Sequence, residues 1–269
     1  MPPSVAVVTD STAYLPAVPG VTVVPVQVVV GGIPRDEGAF TGDLATATTS
    51  RPSPSRFAAC YDALAAAGAT GVVSIHLSGE LSGTVDSAVA AAESAPVPVE
   101  VIDSRSIAMG LGYPVLAAAR SAAAGASLTA VADAARRTAT RTFFYVDTLE
   151  YLRRSGRIGA ATSLFGSALM IKPLLHIVDG RISLLEKVRT SGRAIARLED
   201  LVVEAAADLG GVGVAVQHMG ARGRAELLGE RLSKRVAGIG EVRVVEVGAV
   251  IGAHVGPGML GVTVTSYEG

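Results

Sequence analysis

The sequence predicts an α/β protein in two domains: an N-terminal three-layer α/β domain on a parallel-rich sheet, then a C-terminal α+β domain. Three observations carry this. Through the first half, β-branched apolar runs alternate with alanine-rich helical stretches, the pattern of βαβ units. Past residue 150 the order changes, and Asp179-Gly180 between two apolar runs marks an antiparallel hairpin. Finally, 49% of the 269 residues are hydrophobic and 17% charged, which suits more than one buried core. The domains are read as residues 1–150 and 151–269.

The elements follow in order. Residues 5–8 form a short strand ended by Asp10-Ser11-Thr12, and residues 21–30 a second one broken by Gly31-Gly32. Residues 55–67 place Phe57, Cys60, Tyr61 and Leu64 at helical spacing. A strand at 70–77, a helix at 84–93, a strand at 97–102 and a helix at 107–124 come next. Gly125 ends that helix and Ser127 caps another through Thr138. In the second half, strands are expected at 142–146, 174–178, 181–185, 212–217, 242–247 and 262–266. Helices are expected at 148–154, 164–170 (stopped by Pro173), 192–208 and 221–232.

Composition excludes several classes. A formal net charge of -1, with arginines scattered apart from Arg153, Arg154 and Arg157, does not suit nucleic acid. One cysteine, Cys60, allows neither an intrachain disulfide nor a cysteine-based zinc site, and it reads as a small core residue. The N-terminal residues lack the charged start of a signal peptide, and Pro25 and Gln27 interrupt the best early apolar run. A cytoplasmic protein without stable membrane insertion, making at most transient membrane contact, is expected.

The loop His76-Leu-Ser-Gly-Glu-Leu-Ser-Gly-Thr84 joins a strand end to a helix start. Free N–H groups there, with the Ser78, Ser82 and Thr84 hydroxyls, suit a carboxylate or phosphate. Gly79 and Gly83 let the backbone approach closely. Alternatively, Ser82 or Thr84 caps the helix. Ser82 also stands in G-x-x-S-G, one residue from the nucleophile elbow G-x-S-x-G, so a serine hydrolase acting on acyl esters through Ser82 is a competing reading. A phosphate-binding G-x-x-x-x-G-K-[ST] is absent, and Gly110-x-Gly112 and Gly211-x-Gly213 lack the third glycine of a dinucleotide fingerprint. Histidines 76, 176, 218 and 254 form no H-x-x-x-H, and neither metal nor cofactor is expected. Asp10-Ser11-Thr12 is a second polar cluster at a strand's carboxyl end, either ligand-binding or a turn cap. The run 48–55 carries more hydroxyls than a helix cap needs, and the loop 254–261 has glycines that imply a defined backbone path, with His254 able to donate to an anion.

Taken together, these motifs resemble the DegV family of fatty-acid-binding proteins. The matches are Val8-Thr-Asp-Ser-Thr-Ala-Tyr-Leu-Pro16, Thr49-Ser-Arg-Pro-Ser-Pro54, Leu81-Ser-Gly-Thr84, Val101-Ile-Asp-Ser104 with Met109-Gly-Leu-Gly112, Leu152-Arg-Arg-Ser-Gly-Arg-Ile158, Lys187-Val-Arg-Thr190 and His254-Val-Gly-Pro-Gly258. The resemblance implies a bacterial lipid-binding protein of phospholipid metabolism, with a long-chain fatty acid buried between its two domains. It implies no catalysis by this chain: the carboxylate is presented to a partner, the catalytic subunit of a fatty acid kinase, for phosphorylation to acyl phosphate. Thr49 and Ser82 match the hydroxyls that hold the carboxylate, and His254 a further polar neighbour. Ser78 and Gly83 share the Ser82 loop, and Arg157 and Arg189 match arginines near the entrance. Arg51 stands where the family usually has Gln, Tyr14 where Asp is commoner, and Ser155 where a Gly-Gly pair is usual.

Overall fold

The computed structural model describes residues 5–158 and 171–267. The helix expected at 164–170 lies outside the described residues. The chain divides into two compact units, Met1–Phe40 with Thr49–Ala139, and Thr41–Thr48 with Thr140–Gly269.

The first unit is three-layered around a four-stranded parallel sheet, in the order β2 (Val21–Val24), β1 (Val5–Asp10), β6 (Gly71–His76), β7 (Val99–Asp103). Strands β1 and β6 are buried along their whole length, which is why each opens on an apolar run before its polar carboxyl end. Val5, Val7, Val73 and Ile75 point to one face, packed by α3 (Met109–Ala123) and α4 (Leu128–Arg137). Ala6, Val8 and Val72 point to the other, with Phe57 and Tyr61 of α1 (Pro54–Ala66) and Ala88 and Ala91 of α2 (Thr84–Ala92). Ser127 caps α4 by accepting the Ala130 N–H at 3.3 Å.

The apolar stretch 21–30 is two strands rather than one. After β2, Pro25 interrupts, and β3 (Gln27–Val30) turns back through Gly31-Gly32 into β4 (Ile33–Asp36). Proline supplies no ladder donor, so the run cannot continue through it as a central strand. With the short β5 (Thr48–Ser50), β3 and β4 make a three-stranded sheet ordered β4-β3-β5.

The second unit holds a six-stranded sheet ordered β10 (Arg181–Val188), β9 (Lys172–Val178), β8 (Thr140–Tyr145), β13 (Leu260–Ser266), β11 (Val212–His218), β12 (Ile239–Glu246). Only β11 and β12 pair in parallel; the rest is antiparallel, and β9 and β10 form the hairpin expected at Asp179-Gly180. Both turn residues have positive φ, 51° and 80°, the requirement of a tight hairpin turn. One face packs Val214, Val216, Val262 and Val264 against α6 (Ser191–Ala206) and α7 (Arg222–Arg235), through Leu198, Val202, Leu228 and Leu232. Alternation sends Thr142, Thr263 and Gln217 to the other face, where they are buried and linked by hydrogen bonds of 2.9 and 2.8 Å. Two short helices, α5 (Glu150–Arg154) and α8 (Ala249–Val255), pack together in the same unit.

Candidate functional site

In the parallel sheet, the chain order reverses between β1 and β6: β2 lies on one side of β1 and β6 on the other. Ligands of open α/β sheets bind outside the carboxyl ends of such strands. Two segments leave there, the turn after Asp10 and the loop from Leu77 to Gly83.

That loop has a defined frame. Leu77 N–H donates to Asp10 Oδ2 at 3.0 Å, Ser78 N–H to the Ser106 carbonyl at 2.8 Å, and Gly79 N–H to Asp103 Oδ2 at 3.2 Å. Glu80 N–H donates to Ser78 Oγ at 3.2 Å, and the Leu81 and Ser82 N–H groups donate to the Ser78 carbonyl. Ser78 is fully buried at the root of this turn, its hydroxyl taken up by the loop's own backbone. Ser82 is half-buried, and its hydroxyl shares a 2.9 Å bond with Thr84 Oγ1. Of the two serines, Ser82 is the one open to a ligand.

Neither Ser82 nor Thr84 caps α2. The cap position is Gly83, and no side chain caps the helix there. The first-turn N–H groups and the macrodipole therefore face the Ser82–Thr84 hydroxyl pair without a capping side chain between them. Gly83 has an ordinary φ of -73°, and a Cβ there would meet the exposed Arg51 side chain, which can move aside. Arg51 Nη1 lies 3.4 Å from the Gly83 carbonyl and 3.7 Å from Asp86. This side chain brings the segment that carries Thr49, a half-buried residue of β5, against the Ser82 loop. Thr49 and Ser82 are thus on neighbouring segments of one unit.

His254 sits in the last turn of α8, a helix the sequence reading did not include, and the loop expected at 254–261 begins inside it. Gly256 ends α8 with φ 73°, and a Cβ there would strike the Tyr151 ring. The His254 imidazole is pushed down to about 4, by burial first and then by the charges of Arg157 and Arg154. At neutral pH it is an uncharged ring in electropositive surroundings. Arg154, unremarked in the sequence beyond its local cluster, stacks 5.0 Å over Tyr151 and donates to the Leu44, Ala45 and Ala253 carbonyls. Arg157 and Arg189 are exposed, on the turn after α5 and just past β10.

Beneath the loop runs a chain that the sequence did not reveal as a unit. Asp10, His76, Ser74 and Tyr61 are all fully buried. His76 Nδ1 lies 3.1 Å from Asp10 Oδ2 and Nε2 lies 2.7 Å from Ser74 Oγ, to which Tyr61 donates at 2.9 Å. Burial pushes the Tyr61 phenol up to about 12, against the bond to Ser74. The signal available was Asp10-Ser11-Thr12 after β1, together with alternate polar residues in the buried run Ser74-Ile-His76. Both ring nitrogens of His76 are engaged away from Ser82, so it gives Ser82 no general base. His218 is likewise engaged, accepting the Ala221 N–H at 3.3 Å. Among the described residues no group of three His, Cys, Asp or Glu stands ready to hold a metal ion, and no helix is long and apolar enough to cross a membrane. An open cleft of about 440 Å³ between β2 and α1 holds none of the candidate residues. Cys60 lines it, its thiol pushed up to about 11 by burial.

A parallel α/β unit with a hydroxyl-bearing loop at its switch point, joined in one chain to a mixed-sheet α+β unit, defines a class of two-unit α/β proteins. A family model described as the DegV family matches residues 4–266, and the chain belongs to that family. A DegV domain-containing protein of Streptomyces coelicolor is 54% identical, over 97% of this chain and 98% of that one. A DegV family protein of Thermus thermophilus, solved for its fatty acid binding, is 33% identical with a TM-score of 0.89, covering 98% of this chain and 99% of its own. DegV of Bacillus subtilis, described as a fatty acid binding protein, is 32% identical with a TM-score of 0.85, at 98% and 99% coverage.

Proposed function

We propose that this chain binds a long-chain fatty acid, with Thr49 and Ser82 holding the carboxylate and His254 as a further neutral donor. The observation that carries the reading is the uncapped start of α2, with the Ser82–Thr84 hydroxyl pair before it and Arg51 over Gly83. Fatty acid binding by the Thermus and Bacillus relatives supports it. Withdrawing about 14 methylenes from water at ~0.8 kcal/mol each supplies on the order of 11 kcal/mol before the costs of association. The tail then provides most of the affinity and the head-group residues fix its orientation.

Neutral hydroxyls and a neutral imidazole hold a carboxylate without cancelling its charge. Its oxygen stays nucleophilic for a partner kinase, where it attacks the γ-phosphorus of ATP as the bond to ADP breaks. The chemistry belongs to that partner, and the exposed Arg157 and Arg189 are suited to meeting it. The test is palmitate binding by calorimetry beside hexadecanol, which has the tail without the charge. Palmitate is expected to bind at least tenfold more tightly, and equal affinities would overturn the head-group assignment. With the kinase subunit and ATP, hydroxylamine should trap palmitoyl phosphate only when this chain is present. Trapping that did not require the chain would remove the presenting role.

A further inference from the structure

We propose that Asp10 is a positioning residue for the Ser82 loop, acting through His76 and the Leu77 amide. The register sets Asp10 of β1 beside His76 of β6, since Val8 pairs with Ser74 and Thr9 with Ile75. The Asp10 carboxylate is fully buried and takes four donors: the Thr12 N–H at 3.1 Å and hydroxyl at 2.6 Å on Oδ1, and the Leu77 N–H and His76 Nδ1 on Oδ2. A buried carboxylate is tolerated when its lone pairs are met in this way. Backbone N–H groups can only donate, so both oxygens are acceptors, and with Asp10 as a carboxylate the His76 proton is on Nδ1.

The rest of the chain then has one direction that uses every proton. Tyr61 O–H donates to Ser74 Oγ, and Ser74 O–H donates to the bare His76 Nε2. Phe57 packs edge-on against the imidazole, ring centroids 4.9 Å apart, and closes its remaining side. The ring has no freedom to turn, and the Leu77 amide is fixed to the carboxylate that holds it. Leu77 is the first residue of the loop, and the next two N–H groups are pinned to the β7 end, at Ser106 and Asp103. Asp10 therefore sets where the turn starts, and with it where Ser82 stands five residues on. An aspartate that only capped the turn after β1 would need just its Thr12 contacts.

The consequence for ligand affinity rests on the fatty acid reading; the loop geometry does not. In Asp10→Asn the side-chain NH2 must face at least one N–H donor, so one contact becomes a repulsion. Amide exchange at Leu77 and Gly79–Gly83 should quicken at least tenfold relative to β11, and the palmitate Kd should rise about tenfold. His76→Asn, whose amide still donates to Asp10, should keep both within threefold of wild type. Asp10→Asn with loop exchange and palmitate Kd within twofold of wild type would overturn the proposal. If wild-type protein does not bind palmitate, the fatty acid reading falls while the exchange data still decide the positioning role. Should Asp10→Asn not fold, wild type decides. Nitrogen NMR must then find the His76 proton on Nδ1 and the Leu77 amide exchanging within tenfold of Ile75. An Nε2–H tautomer, or a freely exchanging Leu77, would overturn it.

Discussion

His76 is fully buried and His254 partly so, and their surroundings differ in sign. At the edge of the parallel sheet, His76 meets a carboxylate on one nitrogen and a hydroxyl on the other. At the end of α8, His254 lies near Arg154 and Arg157, and burial plus positive charge holds it neutral. A buried histidine with an anionic partner is committed to the fold. One kept neutral among cations is suited to an incoming anion. The charge of the neighbours, beyond the difference in burial, separates the two.

The largest test of this contrast is stability. His76→Phe leaves Asp10 and Ser74 buried without the ring between them, and losing a buried hydrogen bond to a charged group costs about 1.5–3 kcal/mol. His254→Phe removes no bond to a buried carboxylate and should cost less than about 1 kcal/mol in urea unfolding. Equal losses would erase the distinction. Next comes ligand affinity: Thr49→Ala with Ser82→Ala removes two charge-assisted hydrogen bonds of about 1.5 kcal/mol each. Palmitate should bind about 100-fold more weakly, with the fold intact. Unchanged binding would move the site elsewhere.

The pH dependence follows from His254. An unfolded histidine titrates near 6.5, whereas this one is held at about 4, so the unfolded chain binds the extra proton between those values. The contribution is complete above pH 6.5 and is lost as the pH falls towards 4, on the order of 3 kcal/mol. His254→Phe should flatten that part of the profile. Palmitate should raise the His254 titration midpoint by a unit or more in NMR, because a carboxylate nearby favours the charged ring. A midpoint unmoved by ligand would take His254 out of the head-group site. The smallest effect belongs to Arg51, 54% exposed and 3.7 Å from an Asp86 that is 80% exposed. Arg51→Gln should weaken palmitate binding by no more than about threefold, and a 100-fold loss would mean that Arg51 touches the ligand.

The sheets were largely legible in the sequence, because β1, β6 and β11 are rich in valine and buried along their length, and Asp179-Gly180 announces its hairpin. Pro25 as a strand break was underread, and β4, β5 and α8 were missed. Strands β4 and β5 are short and mostly exposed, with little apolar signal, and α8 is a seven-residue helix flanked by Gly248 and Gly256. For the candidate site, the hydroxyl loop was visible as a composition, but local sequence left it open whether Ser82 and Thr84 cap α2. That depends on backbone geometry, which puts Gly83 at the cap position. The Asp10–His76 chain was invisible because its members lie 66 residues apart and meet only through strand pairing.

The most direct measurement is native mass spectrometry of the purified chain, with lipid extraction, beside the Thr49→Ala, Ser82→Ala double variant. The expected result is one long-chain fatty acid per wild-type molecule and a largely empty variant that unfolds as cooperatively as wild type. Wild-type protein that carries no fatty acid and takes up no added palmitate would contradict the account.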